Sequence, residues 1–243
     1  MSIQPHISVQ SAQVAERVIV CGDPARAERI ANWCDEAEHL ATNREFHLYR
    51  AWFQGQEVTV CSTGIGAPSL LIALEELKQC GAKSIVRVGS AGALQPQIAL
   101  GELVIAEGAV RDDGGSLSYL PQSFPAVASI ELNLGLVNAA QQLGAAYHLG
   151  LVRSHDSFYT DEEAQICQFW HQRGVLAADM ETAALLAVGR YRGLNVASVL
   201  NNVVLYEQDV QQGITQFNQA EAHMAQGEKL SALTALHALV AKR

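Results

Sequence analysis

Apolar runs of strand character alternate with segments of helical periodicity along the whole chain. The apolar runs predict strands at 17–21, 47–53, 57–62, from 84 onward, and at 103–110, 147–152 and 194–205. Helical spacing predicts helices at 24–34, 68–80, 131–143, 162–173, 181–191 and 216–242. An irregular polar segment at 111–125 predicts a lid or an interface element. Because strands and helices alternate without a repeat or a linker, we expect one α/β domain over residues 1–243, with a largely parallel central sheet.

The run that begins at Ser84 carries an arginine, Arg87, inside an otherwise apolar strand. After it we expect the strand to break into a loop that contains Gly89, Ser90 and Gly92. A buried arginine is costly unless it meets an anion or a carboxylate, and a glycine-rich loop lets backbone N–H groups approach an anion. The stretch therefore predicts a site for phosphate or a carboxylate. The alternative is an internal ion pair followed by an ordinary turn.

Two further glycine turns each join a predicted strand to a predicted helix. They read Gly-Asp-Pro-Ala-Arg at 22–26 and Ser-Thr-Gly-Ile-Gly-Ala-Pro-Ser at 62–69. This arrangement aims backbone N–H groups and the positive end of a helix at an anion. Arg26 opposes the helix dipole unless a bound anion offsets it; the alternative is a surface arginine after a turn. We expect all three turns at the carboxyl ends of strands, where α/β folds bind ligands.

Composition narrows the class of protein. Hydrophobic residues make up 49% and charged residues 17%, and the formal net charge of −9 argues against a nucleic-acid-binding surface. The five cysteines lie far apart and the histidines lack metal-ligand spacing, so we expect neither a disulfide framework nor a metal site. We see no signal-peptide pattern at the N-terminus and no apolar run of the ~18–20 residues that a membrane span needs. These features predict a soluble, cytoplasmic protein.

Four motifs, taken together and in register, resemble a known family. They are 22–26, 63–69, Arg87-Val88-Gly89-Ser90-Ala91-Gly92 and Met180-Glu181. Their order and spacing resemble those of the hexameric nucleoside phosphorylases, which include uridine phosphorylase and the bacterial-type purine nucleoside phosphorylase. The resemblance covers nearly the whole chain. It implies a single-domain α/β/α fold around a mixed, partly barrel-like central sheet, and dimers that share active sites within a hexamer.

The resemblance also implies a reaction, reversible phosphorolysis of a nucleoside to free base and (deoxy)ribose 1-phosphate. Cleavage of an N-glycosidic bond by phosphate passes through a sugar with oxocarbenium character. It needs a fixed phosphate beneath the anomeric carbon, which arginines can orient by charge-assisted hydrogen bonds, and a carboxylate that holds the sugar hydroxyls. Inorganic phosphate is then the co-substrate, and neither a metal nor an organic cofactor is required.

Site residues follow from the resemblance position by position. Those that match the family's phosphate ligands are Gly22, Arg26, Arg87 and Ser90, together with Arg44 from the neighbouring subunit. Those that match its ribose-binding residues are Met180 and Glu181, with His6 from a neighbour; Arg87 and Glu181 carry the catalysis. Phe158 matches the aromatic residue that lies against the base or the sugar, and it is the candidate for the base. The plain alternatives are a surface ion pair for Arg44, a solvated terminal residue for His6, a helix cap or an ion pair with its helix for Glu181, and core packing for Phe158.

The residues that would recognise the base match neither branch of the family completely. Purine-type members carry an aspartate after the last strand, where this chain has Asn-Asn-Val-Val-Leu at 201–205 and no acid until Glu207. Uridine-type members carry a glutamine and an arginine after the pocket phenylalanine, where this chain has Glu162 and Ala164. Because pyrimidine cleavage needs no strong acid at a purine N7, we favour uridine or another pyrimidine nucleoside, with Glu162 as a candidate base ligand.

Three other functions stay open at this point. The first is a purine nucleoside phosphorylase. The second is a nucleosidase that uses water, against which Arg26 and Arg87 argue, because related nucleosidases lack the full arginine set. The third is a nucleoside-binding homologue with weak or no activity, which the incomplete base-side residues suggest.

Overall fold

The structure is a computed structural model that describes residues 3–157, 159–206 and 217–241. The strands are β1 (Arg17–Cys21), β2 (Glu36–Asn43), β3 (Phe46–Phe53), β4 (Gln56–Ser62), β5 (Ser84–Ala93), β6 (Leu103–Asp112), β7 (Ala126–Val127), β8 (Tyr147–His155), β9 (Ala177–Asp179) and β10 (Asn195–Val204). The helices are α1 (Pro24–Asn32), α2 (Ala67–Gln79), α3 (Gly114–Leu117), α4 (Ile130–Gln142), α5 (Glu163–His171), α6 (Thr182–Tyr191) and α7 (Phe217–Val240).

These strands form one twisted sheet that is partly closed on itself. Its order is β10-β6-β8-β9-β5-β1-β4-β3-β2, and an additional pairing of β10 with β5 closes the first five strands into a barrel. The mixed, partly barrel-like sheet that the family resemblance implies is therefore confirmed. The expectation of a largely parallel sheet was wrong, because the β2–β3 and β3–β4 hairpins and the β10–β6, β5–β9 and β6–β7 pairs are antiparallel.

Two strands that matter for the architecture carry little apolar signal. β2 is an edge strand whose first four residues are exposed, so its sequence Glu-Ala-Glu-His lacks the apolar alternation of a half-buried strand. β9 has only three residues, which is too short for a pattern to emerge. The predicted helix at 181–191 and the strand at 194–205 correspond closely to α6 and β10.

The core is divided between the outside and the inside of the barrel. The larger cluster packs helices on the sheet and includes almost all of α6, whose residues 182–189 are buried. The smaller cluster fills the barrel interior, and four of its eight buried residues are alanines, Ala91, Ala93, Ala106 and Ala177. Small residues fit there because a five-stranded barrel leaves a narrow interior.

Arg111 organises the segment that the sequence leaves irregular. The side chain is buried and donates hydrogen bonds to the Ser116 hydroxyl and to the carbonyls of Leu120, Pro121 and Phe124 at 2.6–3.0 Å. The segment includes the end of β6 and the short helix α3, and so it is held from within by one guanidinium. Its expected role as a lid or an interface element stays a prediction. Over the ranges described above, no helix combines the length and apolarity that a membrane span requires.

Candidate active site

Three parallel neighbours, β5, β1 and β4, bring the glycine-bearing segments together. β1 pairs with β4 on one side and with β5 on the other, all in the same direction. Beyond their ends the backbone N–H of Thr63 donates to the Cys21 carbonyl at 2.8 Å, and that of Gly64 donates to the Gly22 carbonyl at 2.9 Å. The meeting of these segments at one edge of the sheet, expected from the sequence, is therefore observed.

Arg87 lies at the centre of this edge and is 3% exposed. Its Nε donates to Asp179 Oδ2 at 3.1 Å, and its Nη2 lies 2.5 Å from Glu181 Oε2. Nη1 is buried and has no hydrogen-bond acceptor in the described part of the chain. A buried donor without an acceptor costs about 1–3 kcal/mol, and more when it is charged. Burial lowers the pKa of Arg87, but the carboxylates of Glu181 and Asp179 outweigh it and raise the pKa overall, so the guanidinium is a cation.

Glu181 is the carboxylate that faces Arg87, and it is 5% exposed. Oε1 accepts a hydrogen bond of 2.6 Å from the backbone N–H of Gly66, the residue that precedes α2. Burial raises the pKa of Glu181; Arg87 opposes that change and Asp179 adds to it. A carboxylate accepts about four hydrogen bonds, so after Arg87 and Gly66 it retains capacity for a ligand with hydroxyl groups. Met180, which precedes it, is half-buried.

Arg26 approaches β5 from the first turn of α1. Its Nη2 donates to the Ser90 hydroxyl at 2.7 Å, and its Nη1 lies 3.5 Å from the carbonyl oxygen of Val88. Burial raises the pKa of the Cys21 thiol to about 12, and the positive charges of Arg26 and Arg87 act against that rise. Both guanidiniums therefore act on the same buried point, and their charges are concentrated at one edge of the sheet.

The expectation that the N-terminus of α1 is directed at an anion was wrong. The Asp23 carboxylate accepts hydrogen bonds from the backbone N–H groups of Ala25 and Arg26, both at 3.0 Å. Pro24 has no N–H, and that of Ala27 donates to the Asp23 carbonyl. The N-terminus of α1 is thus capped by its own chain, and the positive character of the site comes from arginine side chains.

The expected loop after Arg87 was also wrong, since β5 continues through Ala93. Gly89 and Ser90 pair with Leu200 and Asn201 of β10 in the sheet. Gly89 has a different use: a Cβ atom there would lie 2.6 Å from Arg87 Nη2 and 2.7 Å from Arg87 Cζ. The glycine leaves room for the guanidinium to lie over the strand.

Two residues assigned to a neighbouring subunit's site lie at the surface of this chain. The His6 ring is half-exposed, its Nδ1 is 2.6 Å from Glu76 Oε1, and its edge faces Phe46. Arg44 is exposed at the turn between β2 and β3, with a φ of +55° in the left-handed region that a side chain disfavours. Their roles in a neighbour's site stay predictions.

The base side is less completely described. Phe158 and Glu207 lie outside the described residues. Glu162 is exposed just before α5. No group of three or more His, Cys, Asp or Glu side chains in the described ranges is placed to hold a metal ion.

The structure adds contacts that sequence reasoning missed. They are the Asp179 carboxylate on Arg87, the Gly66 N–H on Glu181, and Glu228 of α7, whose Oε2 accepts a hydrogen bond of 2.9 Å from Arg26 Nε. Asp179 had a signal, since an acid inside the run Val-Leu-Ala-Ala-Asp is as unusual as the arginine in β5. Glu228 had none, because it lies on a long polar-faced helix about two hundred residues from Arg26.

Comparison with known proteins places this geometry in a family. Residues 16–234 match the family model described as "Phosphorylase superfamily". The chain belongs to this superfamily. It is 39% identical to the uridine phosphorylase of Escherichia coli, over 87% of this chain and 88% of that protein. It is 38% identical to the guanosine phosphorylase of Halorubrum lacusprofundi, over 82% of each. A crystal structure of the uridine phosphorylase from Vibrio fischeri ES114 is similar with a TM-score of 0.93, at 53% identity over 98% of both chains.

Proposed function

We propose that this protein is a nucleoside phosphorylase that cleaves a pyrimidine nucleoside, uridine foremost, with inorganic phosphate. One observation carries the proposal: among the residues that the structure describes, the buried Nη1 of Arg87 has no acceptor, while carboxylates hold its Nε and Nη2. An arginine fixed in this way is poised for bidentate or charge-assisted bonding to a phosphate oxygen. Superfamily membership and the named relatives support the same reaction class.

In the proposed reaction, phosphate binds between Arg87 and Arg26, beside the Ser90 hydroxyl and the Gly22 backbone. Nη1 of Arg87 and the remaining N–H groups of Arg26 hold its oxygens, and Arg44 of a neighbouring subunit completes the set. Binding fixes the nucleophilic oxygen beneath the anomeric carbon before bond cleavage begins. Positioning and charge stabilisation of this kind can lower a barrier by several kcal/mol.

The sugar lies on the opposite side of the phosphate, against Glu181 and Met180. Glu181 accepts hydrogen bonds from the sugar hydroxyls, and its negative charge favours the oxocarbenium character that develops as the C–N bond breaks. His6 of a neighbouring subunit lies near the 5′-hydroxyl. The electron pair of the broken bond leaves with the base, and a phosphate oxygen forms the new bond to the anomeric carbon.

A pyrimidine base fits the end of β10. Between Asn201 and Tyr206 the chain has no acidic residue that could protonate a departing purine at N7. Phe158 would lie against the base, and Glu162 is the candidate for its polar edge. The uridine phosphorylases of E. coli and V. fischeri favour this choice. The guanosine phosphorylase relative keeps a purine nucleoside as the second candidate.

The proposal also covers the oligomeric state of the enzyme, its cellular compartment and its metabolic role. Residues 1–243 act as one domain in a dimer with shared active sites, within a hexamer, and the enzyme serves nucleoside breakdown and salvage in the cytoplasm. The positions of His6, which is half-exposed, and Arg44, which is exposed, support sharing, because neither side chain is buried in its own chain.

The testing experiment is a base-release screen with uridine, thymidine, inosine, guanosine and adenosine, each with and without phosphate or arsenate. We expect uridine to be cleaved only when one of these anions is present. Release at equal speed without the anion would indicate a nucleosidase. Cleavage confined to inosine or guanosine would indicate a purine enzyme. Nucleoside binding by calorimetry without cleavage would indicate a binding protein.

Substitution of Arg87 tests the role of its fork directly. Arg87→Ala should abolish phosphate use, and Arg87→Lys keeps the charge beside Asp179 and Glu181 but loses the planar fork. We expect Arg87→Lys to lower kcat/KM for phosphate by about 10²–10³-fold, the usual loss on removing one charge-stabilising donor. Arg190→Ala, at an exposed arginine of α6, is the control. Unchanged phosphorolysis in folded Arg87→Lys would contradict the assignment.

A further inference from the structure

We propose that Glu228, on the C-terminal helix α7, positions Arg26 for phosphate and so determines phosphate affinity from outside the site. The inference rests on the proposed function, because it assigns Arg26 to phosphate. Glu228 Oε2 accepts from Arg26 Nε at 2.9 Å, and both side chains are only 13% exposed. The carboxylate is therefore a nearly buried partner at Nε of Arg26, next to the Nη2 group that bonds Ser90.

The orientation of Arg26 follows from which of its donors are occupied. A guanidinium has five N–H donors in a rigid plane. Glu228 takes the Nε donor, and the Ser90 hydroxyl takes one donor of Nη2. With Nε and one Nη2 donor held, the guanidinium plane is fixed. The second Nη2 donor and Nη1, whose contact with the Val88 carbonyl is a long 3.5 Å, remain for phosphate.

Glu228 is itself held firmly. Arg29, one turn after Arg26 on α1, donates from Nε to Oε1 at 2.5 Å and from Nη2 to Oε2 at 3.0 Å. Burial alone would raise the pKa of Glu228, but hydrogen bonds and charges from Arg29 and Arg26 lower it overall. The residue is thus an anion, and Arg29 fixes the carboxylate plane that Arg26 meets.

Gly227, which precedes Glu228 in α7, allows this helix to lie close to the sheet. A Cβ atom at Gly227 would lie 2.2 Å from Asn201 Oδ1 and 2.5 Å from the Gly101 carbonyl oxygen. Asn201 Nδ2 also donates to the carbonyl of Met224 in α7 at 2.8 Å. The helix can lie this close only because residue 227 lacks a side chain, and the next residue, Glu228, is thereby brought to Arg26.

Arg87 shows a similar arrangement: Asp179 accepts from its Nε, Glu181 lies at its Nη2, and its Nη1 has no acceptor among the described residues. Two arginines of one anion site are each held at Nε by a carboxylate from another element. This repeated geometry supports a positioning role for Glu228 rather than an incidental surface ion pair.

The test measures whether Glu228→Gln strengthens or weakens phosphate binding. If Glu228 acted only through its negative charge, its neutralisation would strengthen phosphate binding. A positioning role requires the opposite: the KM for phosphate, and the dissociation constant for inorganic phosphate measured by calorimetry, should rise about tenfold or more. KM for the nucleoside at saturating phosphate should stay within about twofold of that of the wild-type protein. Glu221→Gln, the same change at an exposed site on α7, should leave both constants unchanged.

Gly227→Ala provides a second variant that keeps every charge. It should raise the phosphate constants in the same direction, because the added methyl group pushes Glu228 away from Arg26. An unchanged or lower phosphate KM in folded Glu228→Gln would overturn the inference. A wild-type protein that binds inorganic phosphate but cleaves no nucleoside would overturn the proposed function alone, since the calorimetric comparison of Glu228→Gln with Glu221→Gln would still decide the positioning role.

Discussion

Replacement of Gly89 by alanine tests the central geometric claim, that this glycine exists to accommodate Arg87. The new Cβ would lie 2.6 Å from Arg87 Nη2 and 2.7 Å from Leu200 Cδ2, whereas ordinary contacts begin at 3.4 Å. The guanidinium must therefore move by 0.8 Å, the difference between 3.4 Å and 2.6 Å. That movement would change its contacts with the two carboxylates that now hold it at 2.5 Å and 3.1 Å.

The magnitude follows from the size of that shift. A misplacement of about 1 Å can cost about 10²-fold in rate, which corresponds to about 2.7 kcal/mol. We expect kcat/KM for phosphate to fall by about that factor. A buried polar group left without its partner costs about 1–3 kcal/mol, so the melting temperature should fall by about 2–12 °C for a chain of this size.

The assay is a phosphate titration at saturating uridine, with melting followed by circular dichroism. Gly92→Ala is the control for folding, because a Cβ there meets its nearest atom, Val204 Cβ, at an ordinary 3.7 Å in the same strand. It should melt close to the wild-type temperature. A Gly89→Ala protein with wild-type kcat and phosphate KM would refute the reasoning, because Arg87 would then tolerate displacement.

Two further predictions concern the pH dependence that Glu181 causes and the hydrogen bonds that Arg111 donates. In the proposed reaction the carboxylate form of Glu181 accepts from the sugar. Because burial raises the pKa of Glu181, kcat/KM for the nucleoside should then fall as pH drops through that raised pKa. This acid limb should lie above the ~4.3 of an exposed glutamate, and circular dichroism over the same range would separate it from unfolding; a limb at or below the ordinary value would contradict the claim. Arg111→Met removes the donor from four oxygens and should lower the free energy of unfolding in urea by about 3 kcal/mol. Arg173→Met, at an exposed arginine that bonds one carbonyl, should change it little; equal midpoints for the two variants would show that Arg111 does not hold its segment.

Part of this site could be predicted because it places a charged residue inside an apolar strand. Arg87 stands out in an apolar run, and its burial made an acceptor necessary. The sequence offered two partners for it, an anion or an internal ion pair. The structure contains the ion pairs with Asp179 and Glu181, and within the described ranges Nη1 is left without an acceptor. The two interpretations were therefore compatible.

Other features were hidden because their cause is tertiary. Gly89 predicted a loop, yet it lies in a strand, where the lack of a side chain leaves room for the guanidinium of Arg87. Asp23 was considered only as part of a turn, although its side chain caps α1 and removes the helix terminus as an anion site. Glu228 contacts Arg26 only after α7 returns across the sheet, so no local pattern marks it.

The position of β5 has a consequence for how such enzymes can diversify. This strand pairs with β1, β9 and β10 at once, and so it belongs to the barrel and to its open extension. An insertion or deletion in it would have to be absorbed by three partners together, since a slip of one residue reverses the facing of every side chain. Glu162, by contrast, lies at an exposed helix start that can change without altering the sheet. A lineage can thus change residues at this helix start repeatedly while it inherits Arg87 and Ser90 unaltered.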